Sequence, residues 1–108
     1  MTTKVWAVQS NMKRNPDGSW TPKFDLTIAA QYGQIEFVFG FGQAALMGPA
    51  AALSIEERMR DYSEEDYILP IGDNVLFGMV VAHLVRNGHS PRVLRWDRQA
   101  GRYDVINI

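Results

Sequence analysis

The sequence predicts a small α/β fold, with a mostly parallel sheet, flanking helices and a C-terminal antiparallel hairpin. Three observations carry this. Apolar runs of strand length alternate with segments of helical character. The strongest helical run, Val75 to Arg86, stands between two such strands. Two β-rich stretches at the end of the chain flank a short loop that carries a glycine. At 108 residues the chain has room for a single α/β domain, 1–108, since single cores run to about 100–200 residues.

The elements follow in order. Lys4-Val5-Trp6-Ala7-Val8-Gln9 is a first strand, β-branched and aromatic without a turn former. Asn15-Pro16-Asp17-Gly18 is a turn, because proline presets φ and glycine accepts a positive one. Ser19-Trp20-Thr21 then folds back as a hairpin arm or continues a surface loop. Asp25 to Gly33 reads as a short helix capped by Asp25 or Thr27, with Gly33 as its left-handed terminus. Alternation of Phe24, Leu26 and Ile28 supports a rival strand, but Ala-Ala-Gln-Tyr-Gly is poor strand material.

Ile35 to Phe39 is the second clear strand. Gly40 to Ala52 carries no charge and is rich in glycine and alanine, which predicts a loop or lid, with an Ala-rich helix after Pro49 as the alternative for its end. Ser54 with Glu57 has capping-box spacing and predicts a helix start. Glu64-Glu65-Asp66 is expected to be a solvated acidic link. Tyr67 to Ile71 is a strand in which Pro70 must sit near the end or at a bulge. Asp73 or Asn74 caps the helix over 75–86. Because that helix is apolar almost all round, its outer face meets either a neighbouring element or a second subunit. Arg92 to Trp96 and Arg102 to Ile106 form the final hairpin.

Composition excludes several chemistries. There is no cysteine, which removes disulfides, thiolate metal sites and cysteine nucleophiles. The formal charge of −1 argues against a generic nucleic-acid coat. That charge is a cancellation: residues 54–73 hold seven acids and two arginines, −5, and residues 74–108 hold five arginines and two aspartates, +3. The opening MTTKVWAVQSNMKR lacks a basic segment followed by about 7–15 apolar residues, so a secretory signal is not expected. The run Val75 to Ala82 is far short of the roughly 20 residues that span a bilayer. A cytoplasmic location with no membrane association is the expectation.

In open α/β sheets ligands bind beyond the carboxyl ends of strands. Ser10 and Asn11 after the first strand, and Gly72, Asp73 and Asn74 before the long helix, are therefore the candidate ligand-binding residues. Asp73 places a carboxylate where an anion would sit, which makes helix capping the competing role. No dinucleotide or Walker loop, nucleophile elbow or paired histidine motif is present, so no catalytic residue, metal ligand or cofactor is expected. The hairpin residues Arg92, Arg95, Trp96, Arg98, Arg102 and Tyr103 form a candidate interaction surface. Arginine and aromatic side chains suit phosphate and base stacking, but protein hot spots are the favoured reading; the competing role is to flank an edge strand with charge.

The chain resembles a group of small bacteriophage-encoded proteins of unknown function. The likeness lies in Trp6-Ala7-Val8-Gln9-Ser10-Asn11, Pro22-Lys23-Phe24-Asp25-Leu26 with Tyr32-Gly33, and Asp66-Tyr67-Ile68-Leu69-Pro70-Ile71-Gly72-Asp73, and ends in Arg95-Trp96-Asp97-Arg98 with Gly101-Arg102-Tyr103. Residues 40–53 look divergent. The resemblance implies a phage accessory protein acting in the bacterial host cytoplasm and supplies no catalytic residue. The expected role is non-enzymatic binding, to a host or viral protein or to itself as a homodimer. A small-ligand or nucleotide site is the alternative, and nucleic-acid contact through the hairpin a further one.

Overall fold

The computed structural model of the chain describes residues 2–10, 12–40 and 49–108. β1 (Lys4–Gln9) is an inner strand of the main sheet, buried from Val5 to Gln9. Neither face of it meets water, as the run Val-Trp-Ala-Val requires. It is followed by the small hairpin β2 (Met12–Arg14) and β3 (Trp20–Pro22), then β4 (Gln34–Phe39), α1 (Pro49–Met59) and β5 (Tyr67–Leu69). α2 (Asn74–Arg86), β6 (Arg92–Asp97) and β7 (Arg102–Asn107) complete the chain. The main sheet has the order β4-β1-β5-β6-β7. β1 pairs in parallel with β4 and β5, β5 pairs in parallel with β6, and β7 closes the edge antiparallel to β6. The predicted α/β class, with its mostly parallel sheet, flanking helices and final hairpin, is the fold observed.

Both helices lie on one face. Ala51, Ile55 and Met59 of α1, and Leu76, Val80 and Leu84 of α2, recur every four residues and so form one buried stripe per helix. They pack on Trp6, Val8, Ile68 and Val93 of the sheet. α1 also packs on α2. Val75 and Val85 on the outer side of α2 stay 57% and 49% exposed. On the opposite face Val5, Ala7, Leu69 and Leu94 are covered by the segment that carries Leu26, Ala29 and Tyr32.

Three expectations are corrected. The helix expected over 25–33 is a single 3₁₀ turn at Ala29–Gln31. The Asp25 carboxylate accepts the amide and hydroxyl of Thr27 at 2.9 and 2.6 Å, a local turn that competes with helix capping. Gly33 is needed for close approach rather than for a left-handed terminus: a Cβ there would lie 2.6 Å from the Thr3 carbonyl oxygen. Secondly, α1 starts at Pro49 and not at Ser54, as the Ala-rich alternative had it. Proline suits the first helical turn and Ala50 to Ala52 are the best helix formers, so the helix extends N-terminally past the capping box. The loop or lid expected N-terminal to it falls, for residues 41–48, outside the described residues.

The third correction concerns Asp66, which is not a solvated link residue but 2% exposed. Its carboxylate accepts the Lys4 amide at 2.9 Å, the Trp6 indole N–H at 3.0 Å and the Ser63 amide at 3.0 Å. One buried side chain thus ties the start of β1 to the start of β5. The Trp6 ring is flanked by Lys4 Nζ and the Arg58 guanidinium, each 5.3 Å from its centroid.

Candidate functional site

The chain runs from β1 outward to β4 and then returns to β5, so the sheet order reverses between β1 and β5. The residues expected to bind a ligand stand at this point. The Ser10 amide donates to the Phe39 carbonyl at 2.8 Å, and Asn11 lies outside the described residues. Gly72 has φ 108°, and a Cβ there would lie 2.4 Å from Gln9 Cβ. Gln9 is itself buried, and its Oε1 accepts the Asp73 amide at 2.9 Å. Asp73 Oδ1 accepts the amides of Val75 and Leu76 at 2.8 and 3.2 Å, the predicted N-cap. Asn74 is exposed as the first residue of α2. The side chains here hold the turn and the helix start, and Gln9 packs against the turn glycine.

One strand further along, the carboxyl ends of β5 and β6 open into a groove of about 460 Å³ on the face opposite the helices. Its floor is Leu69, Pro70, Ile71 and Leu94, one wall is Phe24, Leu26 and Ile28 with Asp25 among them, and the other is Trp96 and Tyr103 with Arg95 beside them. The volume is that of a binding cleft, within the range of about 300–1,000 Å³. Trp96 stands opposite Tyr103 across the hairpin, ring centroids 5.0 Å apart. Tyr103 in turn meets Tyr32 edge-on at 6.1 Å, and Tyr32 meets Tyr67 at 5.5 Å. Arg92 ends the series, its guanidinium 4.0 Å over the Tyr67 ring. Burial, and then the Asp25 charge, push the Tyr103 phenol above its usual range. The Thr27 hydroxyl holds the Asp25 carboxyl below its own.

The hairpin cluster is divided by the register. Trp96 and Tyr103 belong to the groove, and Arg95 also lines it. Arg92 is committed to the fold, since it donates to the carbonyls of Asp66 and Glu65. Arg95 stands opposite Asp104 and Arg102 opposite Asp97, and Arg98 lies in the connecting turn. Each cross-strand arginine therefore faces a carboxylate, which weakens the positive field that phosphate binding needs. The wall of Phe24, Leu26 and Ile28 was missed as a site. Its signal was the alternation that supported a rival strand.

The family model for Phage Pam3 gp32-like proteins matches residues 3–108. The chain belongs to this family. The span of the match includes 40–53, the stretch that the resemblance to phage proteins had left out, and takes in every strand and helix described above. No curated protein and no solved structure matches the chain. The chain thus offers two places at its strand ends: a switch point occupied by Gln9, and an aromatic groove. No helix among the described residues is long and apolar enough to cross a membrane.

Proposed function

We propose that the chain is a phage accessory protein, one folding unit over 1–108, that acts as a non-enzymatic binding module in the host cytoplasm. It recognises an apolar segment of a host or viral protein in the groove between Phe24–Ile28 and the Trp96–Tyr103 pair. The observation that carries this reading is the composition of the groove walls. Phe24 and Trp96 stay 47% and 43% exposed at its rim over an apolar floor, the arrangement of an interface hot spot. The test is a photoactivatable side chain at Ile28, compared with one at Leu53 on α1, in cells producing the phage. A defined adduct from position 28, lost with Leu26→Asp, supports the groove. Equal labelling from both positions, or none from either, overturns it.

The strand order favours a second reading, a small-ligand site at the β1–β5 switch built on Ser10, Asn11, Gly72, Asp73 and Asn74. Raised melting temperature with nucleotides or phosphorylated metabolites, abolished by Asn74→Ala, would support it. No shift at millimolar ligand would remove it.

A further inference from the structure

The two edges of the sheet are finished differently. At β4, Glu36 lies 3.7 Å from the Arg58 guanidinium, which also donates to the Phe37 carbonyl, so charge covers that edge. β7 carries no proline, glycine or lysine, its charged residues Arg102 and Asp104 stand opposite Asp97 and Arg95 of β6, and Val105, Ile106 and the adjoining Ile108 stay 39%, 40% and 57% exposed.

The hydrogen-bond phase of β7 follows from one contact. The Ile108 amide donates to the Pro91 carbonyl at 2.9 Å. Given the register Arg92↔Asn107 to Asp97↔Arg102, antiparallel alternation turns Arg102, Asp104 and Ile106 inward to β6. The amides and carbonyls of Tyr103, Val105 and Asn107 therefore point to the open side. Consistent with this, the Tyr103 carbonyl accepts the Tyr32 hydroxyl at 3.2 Å.

We infer that the β7 edge binds a second copy of this chain, antiparallel, about a two-fold axis through Val105. A two-fold perpendicular to a continuous sheet keeps each residue on its own face, which leaves only registers centred on a residue. Charge and bonding choose among them. Centring on Asp104 would set two carboxylates directly opposite each other. Centring on Tyr103 would pair Val105 with Gly101, whose φ of 66° belongs to the turn. Centring on Val105 uses all of Arg102 to Ile108. Val105 then exchanges both main-chain bonds with its copy, and Tyr103 does so with Asn107 of the second copy, about six bonds in all, the Tyr103 carbonyl using its second lone pair beside the Tyr32 hydroxyl.

Asp104 already faces Arg95 and Arg102 faces Asp97 within the chain. Each copy thus brings an edge of no net charge, with Val105 and Ile106 exposed on it, to a like edge, and the formal charge of −1 adds little repulsion. The resulting ten-stranded sheet carries both grooves on one face, with the Tyr103 residues offset by about 14 Å along the strands.

The test is sedimentation equilibrium of the full chain over a micromolar-to-millimolar series. The expected result is a concentration-dependent dimer. Val105→Pro deletes an amide that the β6 ladder does not use, and Val105→Glu sets two carboxylates on the axis. Each is expected to weaken the dimer at least about tenfold. If Val105→Pro fails to fold, Val105→Glu decides. The chain has no cysteine, so Val105→Cys reports register: it cross-links to its copy, and Asp104→Cys does not. A monomer at every concentration, an unchanged dimer in the folded variants, or cross-linking at 104 rather than 105 overturns the proposal.

Discussion

Replacing Asp66 probes the tie between β1 and β5 that burial conceals. In Asp66→Asn one oxygen remains. Placed at the Oδ2 position it still accepts the Trp6 indole and the Ser63 amide, while the new NH₂ faces the Lys4 amide in place of Oδ1. One charge-assisted bond is exchanged for a donor–donor contact, a loss of about 2 kcal/mol. Asp66→Ala abandons all three donors, one of them on the 1% exposed Trp6. At about 1–2 kcal/mol for each unsatisfied group, with water reaching the outer two amides, the loss is about 4 kcal/mol. For a domain of this size these values correspond to melting shifts of about 8 °C and 16 °C. Circular dichroism and urea titration, followed by tryptophan fluorescence, measure both. In a double-mutant cycle Trp6→Phe is expected to reduce the cost of Asp66→Ala by about 1 kcal/mol. An alanine variant within 1 kcal/mol of the parent would refute the assignment of Asp66 as the buried anchor.

Two glycines test close approach against propensity. Gly33→Ala forces a Cβ to 2.6 Å from the Thr3 carbonyl oxygen and is expected to destabilise by about 1–3 kcal/mol. Gly78→Ala, in α2 with nothing within 4 Å, is expected to stabilise by about 0.5–1 kcal/mol. Burial raises the phenols of Tyr62 and Tyr103 above the ordinary 10.0. Their contribution is complete below pH 10 and lost as pH rises through the folded values, so an alkaline unfolding limb is expected that Tyr62→Phe shortens. Glu64, held below its ordinary range first by the His89 ring at 2.5 Å, contributes above the unfolded carboxylate pKa. That contribution disappears as pH falls through the folded one, and Glu64→Gln is expected to flatten the acid limb. Retention on single-stranded DNA or RNA is expected to be weak and insensitive to Arg95→Ala, because Asp104 stands opposite; steep loss with salt and with that substitution would restore the nucleic-acid reading.

Local signals carried much of this fold into the sequence. β1, the α2 cap at Asp73, the turn at Pro16-Asp17-Gly18 and the C-terminal hairpin each rest on residues within a few positions of one another. The departures arise where two local preferences compete or where distance in sequence hides a contact. Asp25 could cap a helix or bond Thr27, and the nearer turn prevailed. Pro49 and Ser54 both mark helix starts, and the alanines between them extended α1 to the first. Asp66 sits in an acidic run and is indistinguishable there from its solvated neighbours, since its partners Lys4 and Trp6 lie some sixty positions away. The groove is hidden for the same reason. Trp96 and Tyr103 could be singled out, but nothing local brings Phe24, Leu26 and Ile28 over the ends of β5 and β6.

The recognition groove is the central claim, and hydrogen exchange on the chain alone and bound to its cross-linked partner tests it most directly. Slowed exchange is expected in segments 24–28, 69–71 and 94–96 and at Tyr103, four stretches that meet only in the folded groove. Protection confined to α1, to α2 or to the β2–β3 hairpin, with those segments unchanged, would contradict the account.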